Sequence, residues 1–139
     1  MDSSPQMQQA ITVLRGAYAA FNRGDMDAAA AALDPAIEWI EPAEFPGGGT
    51  YHGRDEAKRY LTNSREAWAK VISEPEQFIP AGNRIVVFVH ARVRPKGSAD
   101  WQDVRLADVY TFQNGRAIQM HAFADRQEAV RWAASSIQK

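Results

Sequence analysis

The sequence predicts an α+β fold: three N-terminal helices packed on a curved, mostly antiparallel sheet, together making a cone-shaped barrel. Three observations lead there. Helical periodicity fills the first half of the chain and strand alternation the second, which puts helices on one face of a meander. The run Arg84 to Arg94, RIVVFVHARVR, is apolar, β-branched and long enough for a central strand. The stretch Asp103 to Asp125 reads as two long strands joined at Asn114-Gly115, residues that tolerate the positive φ of a tight turn.

The elements follow in order. From about Gln6 to Arg23, Ile11, Leu14, Tyr18 and Phe21 recur at helical spacing, and Gly24 suits a left-handed C-terminal stop. Asp25 is a suitable N-cap for a second, alanine-rich helix from Met26 to Leu33, which Pro35 ends. Ile37 to Ile40 reads as a short strand, and the Gly- and Pro-dense EFPGGGTYHG after it as loop. Gly53-Arg54-Asp55 opens a third helix with Ala57, Tyr60, Leu61, Ser64, Trp68 and Val71 on one face. Glu76 to Pro80 is a short, interrupted strand, Ala81-Gly82-Asn83 a turn, and Arg84 to Arg94 the central strand. After the hairpin, whose second strand is Ala117 to Ala124, Asp125 caps a C-terminal helix from Arg126 to Ala134. No repeat or interdomain linker interrupts this order, so residues 1–139 are expected to form one domain.

One residue breaks the pattern. Val104, Leu106, Tyr110 and Phe112 share one phase of their strand, and Asp108 sits on that same phase. A carboxyl among apolar neighbours is unfavourable unless it is paired, protonated or useful. Glu41, at a strand end beside Trp39, Pro42 and Phe45, is the second carboxyl in such a setting. The two suggest a base raised by desolvation and an acid that donates a hydrogen bond to a developing enolate. The plain alternative has Glu41 solvated in a loop and Asp108 bonded to a neighbour, either Arg92 or Arg105.

Composition excludes other chemistries. A formal net charge of -1 gives no field to attract nucleic acid or an anionic membrane. With no cysteine there is no disulfide, zinc-thiolate site or Cys nucleophile. His52, His90 and His121 have no metal-ligand spacing, so no metal is expected. PGGGTYHG lacks Walker spacing, and no serine sits in G-x-S-x-G. The N-terminus has no signal-peptide character, and no apolar run approaches the roughly 18 residues of a membrane span. A cytoplasmic protein is the expectation.

The segments AYAAFNRGDMDA, EWIEPAEFPGGGTYHGRDEAKRYL and DVYTFQNGRAIQMHAFAD resemble the nuclear transport factor 2-like superfamily, and within it the SnoaL-like proteins and steroid Δ-isomerases. The resemblance covers nearly the whole chain. It implies a cone-shaped pocket and a homodimer. Counted from Gly24-Asp25, the isomerase's general-base position matches Glu41 and its protonated oxyanion-hole aspartate matches Asp108. Its first-helix tyrosine position matches Ala17, with Tyr18 one residue later and about 100° round the helix. The supporting tyrosine position matches Leu61, beside Tyr60. The histidine and aspartate of the SnoaL-type cyclase match Met120 and Ala122, and the arginine and second aspartate of the limonene epoxide hydrolase pattern match Leu106 and Ala122.

The fold hosts many activities, so the site must decide. The leading expectation is a cofactor-independent isomerase or cyclase, with a hydrolase as second choice. It would act on a small apolar molecule by proton transfer next to a carbonyl. Glu41 and Asp108 would be catalytic, and Tyr18, Trp39, Trp68, Leu106, Tyr110 and Met120 would line the pocket. The alternative is a binding domain, or a dimeric interaction module, without chemistry. For the dimer, Val87, Val89, Ala107, Val109 and His121 are expected on the sheet's outer face.

Overall fold

The computed structural model describes residues 4–136. Helix α1 (Pro5–Arg23) is capped by Ser4, whose side chain accepts from the Met7 amide at 3.1 Å, and ends at Gly24 with φ of 87°. Asp25 caps the short α2 (Met26–Ala30) through the Ala28 amide. Strands β1 (Leu33–Glu41) and β2 (Gly49–His52) follow, then α3 (Arg54–Glu66). Strands β3 (Lys70–Ala81), β4 (Arg84–Arg94), β5 (Gln102–Gln113) and β6 (Arg116–Phe123) form the meander, and α4 (Arg126–Ser136) closes the order. The Asn114-Gly115 turn has positive φ at both residues, 55° and 79°.

The six strands lie in the order β2-β1-β6-β5-β4-β3. All neighbours are antiparallel except β1 and β6, which run parallel. The sheet is open, with β2 and β3 as its edges, so the cone is a sheet and helices rather than a closed barrel. Helix α1 packs along β3, and α3 packs on β1 and β2. They enclose the main core, which includes Leu14, Ile37, Ile85, Val87 and Met120. Helix α4 packs on β4, β5 and β6 from the other side, where Ala129 and Ala133 meet Val86, Ala107 and Val109.

Several boundaries differ from the sequence reading. Helix α2 stops at Ala30 and β1 begins at Leu33, ahead of Pro35. Pro35 is tolerated there because pairing with β2 begins only at Glu38, and the β1–β6 ladder shifts between Leu33 and Glu38. The glycine-rich loop is shorter than expected, since Gly49–His52 pairs with β1. Helix α3 ends at Glu66, so Trp68 leaves the helix and Val71 belongs to β3. Strand β3 starts at Lys70, well before Glu76. Its prolines and the irregularity between Pro75 and Gln77 disguise an edge strand, which needs fewer backbone donors.

The outer-face assignment needs a correction at two positions. Val87 pairs with Asp108 and Val89 with Leu106, so both face the helices α1 to α3. Val86 and Phe88 take the outer phase, beside Val109 and Ala107. His121, opposite Val109, is on the outer face as expected.

Candidate active site

The site begins with strand phase. On β5, Asp108 projects to the helix-covered face between Leu106 and Tyr110. It pairs with Ala122 of β6, and the parallel pairing of Ile40 with His121 puts Glu41 level with Ala122. Glu41 and Asp108 therefore stand two strands apart in one row, with backbones roughly 10 Å apart. At that level the strand between them contributes only the methyl group of Ala122.

Each carboxyl has its own donors. Tyr18, reaching down from α1, donates its hydroxyl to Asp108 Oδ2 at 2.5 Å. Tyr110, two residues along β5, donates to the Tyr18 hydroxyl at 3.3 Å. Trp39, two residues before Glu41 and on the same face, donates its indole Nε1 to Glu41 Oε2 at 2.8 Å. The Tyr60 hydroxyl of α3 stands close enough to Glu41 to influence its titration, and its ring lies 6.4 Å from that of Trp39. Glu41 ends β1 and faces the cavity, which is a different position from a free loop carboxylate.

No Lys, Arg or His among the described residues lies within ion-pair distance of either carboxyl. Arg92 and Arg105 are on the opposite face, each 4.0 Å from a glutamate there, Glu74 and Glu76 respectively. Burial without a cation governs the titration. Burial first, and the Asp108 charge second, push Glu41 up to about 8 against the bond from Trp39 and the nearby Tyr60 hydroxyl. Burial pushes Asp108 up to about 6, against the bond from Tyr18. Burial and the neighbouring acid hold the Tyr18 and Tyr110 hydroxyls well above the usual phenol range, so both remain donors.

These groups lie on a cavity of about 840 Å³ between the sheet and helices α1 to α3. Tyr18, Trp39, Trp68, Leu106 and Tyr110 all line it, as do Glu41 and Asp108. Met120 does not. It is fully buried in the core, paired with Trp39 on one side and Tyr110 on the other, and those larger rings separate it from the cavity. Ala17, at the position matched to the isomerase tyrosine, lines the wall, but it is Tyr18 that reaches Asp108. Tyr60 and Phe45 were not singled out from sequence as site residues. Tyr60 lay on the packed face of a helix, and nothing local tied it to Glu41. His52, His90 and His121 lie apart: on β2, beside Asp103 on the outer face, and stacked on Phe123.

The family model for the SnoaL-like domain matches residues 14–120. A nuclear transport factor 2-like protein of unknown function from Burkholderia pseudomallei is 31% identical. The match covers 88% of this chain and 95% of that one, with a TM-score of 0.76. A SnoaL-like protein from Jannaschia, described by analogy with polyketide cyclases, is 18% identical over 96% and 97% of the two chains, with a TM-score of 0.72. TerC, co-crystallised with polyporic acid, is 23% identical over 91% and 98%, with a TM-score of 0.75. None of the curated proteins matches the chain. No helix among the described residues is long and apolar enough to cross a membrane.

Proposed function

We propose, for a chain that belongs to the SnoaL-like domain family, a cofactor-independent enzyme that moves a proton next to a carbonyl of a small apolar substrate. The observation that carries this reading is the pair Glu41 and Asp108, desolvated on one cavity wall with no Lys, Arg or His of the described residues within ion-pair distance. Glu41 as carboxylate removes a proton from the carbon beside the carbonyl. The C–H electron pair becomes the enolate double bond, and charge moves onto the carbonyl oxygen. Asp108, carrying its proton, donates a hydrogen bond to that oxygen, with Tyr18 and Tyr110 fixing its orientation. The protonated Glu41 then returns the proton to carbon, so no cofactor is consumed. Trp39 holds Glu41 Oε2 and orients the carboxylate. Both roles require one proton on the pair, which the pair holds between about pH 6 and about pH 8. Glu41, raised further, carries it in the resting form, so the reactive form with Glu41 ionised and Asp108 protonated is the minor tautomer in that window.

The test is exchange of α-protons of simple aryl ketones in D2O, followed by proton NMR. Exchange should depend on the protein and fall about 10²- to 10⁴-fold in Glu41→Gln, the usual contribution of a positioned base. Exchange that survives unchanged in Glu41→Gln would overturn the assignment. The aromatic walls support a second reading, a pocket that binds without chemistry, and TerC was co-crystallised with an organic ligand. Binding without exchange in the wild type would favour it.

A homodimer in the cytoplasm completes the proposal. The large apolar side chains Trp101, 46% exposed, and Val130, 37% exposed, are surface that a second copy would cover. A monomer mass in light scattering at micromolar concentration would remove the dimer.

A further inference from the structure

The cavity is larger than the carboxyl pair needs, and its surplus runs in one direction. Along β5 from Asp108 towards the strand's start, the residues on the cavity side are Leu106, Val104 and Gln102. The neighbouring strand β4 adds Val89, Ala91 and Val93 at the same levels. Pairing of β5 with β6 reaches only as far as Ala107, so Val104 lies on the cavity side of a free strand end, where it is 38% exposed. The helical side lines the cavity with both small and large side chains, Ala17 and Phe21 of α1, Ala29 of α2, Leu61 of α3 and Ala67 and Trp68 after it, and leaves space opposite the aliphatic row. The rings of Trp39, Tyr60 and Tyr51 are clustered instead near the Glu41 end.

The aliphatic row itself carries no charged side chain; besides the carboxyl pair, the charged groups of the cavity lining are Glu56 and Arg59 of α3, and its neutral polar groups include Asn63, Ser64, Ser73 and Gln102. From Asp108 to Val104 this aliphatic channel extends about 13 Å at the rise of a strand. Apolar surface left in contact with water on the inside of a fold is unfavourable unless something covers it. Among the described residues, no side chain covers Val104 fully.

We propose that the substrate carries an uncharged aliphatic arm on its carbonyl, and that this arm lies along Leu106, Val104 and Ala91 while the carbonyl sits at the Glu41–Asp108 row. The inference rests on the proton-transfer reading for where the carbonyl sits, and it adds the substrate's shape. The arm leaves the protein between Val104 and Ala67, so its far end reaches solvent and tolerates polar neutral substituents.

The experiment uses propiophenone, hexanophenone and decanophenone with the full chain, reading affinity by calorimetry and α-proton exchange by NMR in parallel. Each methylene buried in the channel should tighten binding by about two- to fourfold. Hexanophenone should therefore bind about tenfold or more tighter than propiophenone. Val104→Lys on the sheet side, and separately Ala67→Glu on the helix side, place a charge at the channel's exit. Each should bring the ratio of long-chain to short-chain affinity towards one. Both positions are exposed, and a circular dichroism melt of each variant verifies folding. Affinity that does not rise with chain length, or a rise that both folded variants retain, overturns the arm. A chain-length gain without any exchange supports the arm and refutes the proton-transfer reading instead. Failure of all three ketones to bind overturns both.

Discussion

The two faces of the sheet treat carboxyl groups in opposite ways. On the outer face, Glu76 accepts from Arg126 at 2.8 Å and has Arg105 and His90 nearby, and the Arg126 bond holds it below the usual carboxylate range. Asp103 of β5 meets His90 at 2.9 Å. Five residues further along the same strand, Asp108 on the inner face has a tyrosine donor and no cation, and its carboxyl is pushed up to about 6. The outer carboxylates Glu76 and Asp103 thus meet cationic or imidazole partners, whereas among the described residues none stands within ion-pair distance of Glu41 or Asp108. That contrast separates structural acids from site acids without knowledge of a substrate.

The largest stability effect expected from breaking this contrast is at Arg126. Its guanidinium donates to the backbone carbonyls of Leu106, at 3.1 Å, and Val89, at 2.9 Å, as well as to Glu76, and lies over the Phe88 ring. It ties α4 to two interior strands. Removing it leaves two partly buried carbonyls without a charged donor, so Arg126→Ala should destabilise by about 2–3 kcal/mol in urea unfolding. A loss under about 0.5 kcal/mol would mean that the outer network is surface decoration.

The inner face should answer with the opposite sign, and pH reveals it. Asp108 rises from an ordinary 3.8 to about 6 on folding, so the folded state holds its proton more tightly than the unfolded chain. Its contribution to stability is complete below about 4 and is lost as pH rises through about 6. Glu41 behaves likewise from 4.5 up to about 8. Glu76, lowered on folding, contributes above its unfolded value and loses that contribution as pH falls through its folded one. Asp108→Asn keeps an oxygen for the Tyr18 hydroxyl and removes the charge. Stability at pH 7.5 should be unchanged or higher by about 1 kcal/mol, with the gain vanishing at pH 4. A loss of roughly 3–5 kcal/mol, typical of breaking a buried ion pair, would show that a cation does face Asp108.

How much of this was legible depended on whether one phase or several had to be fixed. Asp108 was readable because period-two alternation on a single strand decides its face, and Trp39 and Glu41 share a side for the same reason. The phase of RIVVFVHARVR was not readable. Both faces of β4 are buried, so Val87 and Val86 look alike in sequence, and only the pairing with β5 separates them. The contact of Tyr18 with Asp108 needed the rotation of α1 over the sheet, where one residue means about 100°. Counting placed Ala17 at that contact. The level that Glu41 shares with Ala122 depends on the parallel β1–β6 pairing, and its approach to Tyr60 on the packing of α3 over β1, contacts between segments with no local signal.

The smallest effect is expected at Tyr110, and it sharpens the contrast most finely. Tyr110 does not touch a carboxyl directly. Its hydroxyl donates to the Tyr18 hydroxyl at 3.3 Å, a long bond, while Tyr18 donates to Asp108 at 2.5 Å. Tyr110→Phe keeps the ring, which packs edge-on against Tyr18 and Trp39, and removes only the outer donor of the chain. The Tyr18 oxygen loses one donor but keeps its own strong bond. Stability should change by no more than about 0.5 kcal/mol, below the usual net worth of a hydrogen bond because this one is long. With less polarisation the Tyr18 bond to Asp108 weakens, and since that bond lowers the Asp108 carboxyl, its titration should move upward. The measurement is the carboxyl carbon shift of Asp108 in labelled protein across pH 4 to 9. An upward move with unchanged stability would show that the three groups act as one network. A titration that stays fixed would confine the network to Tyr18 and Asp108, leaving Tyr110 as a wall of the cavity.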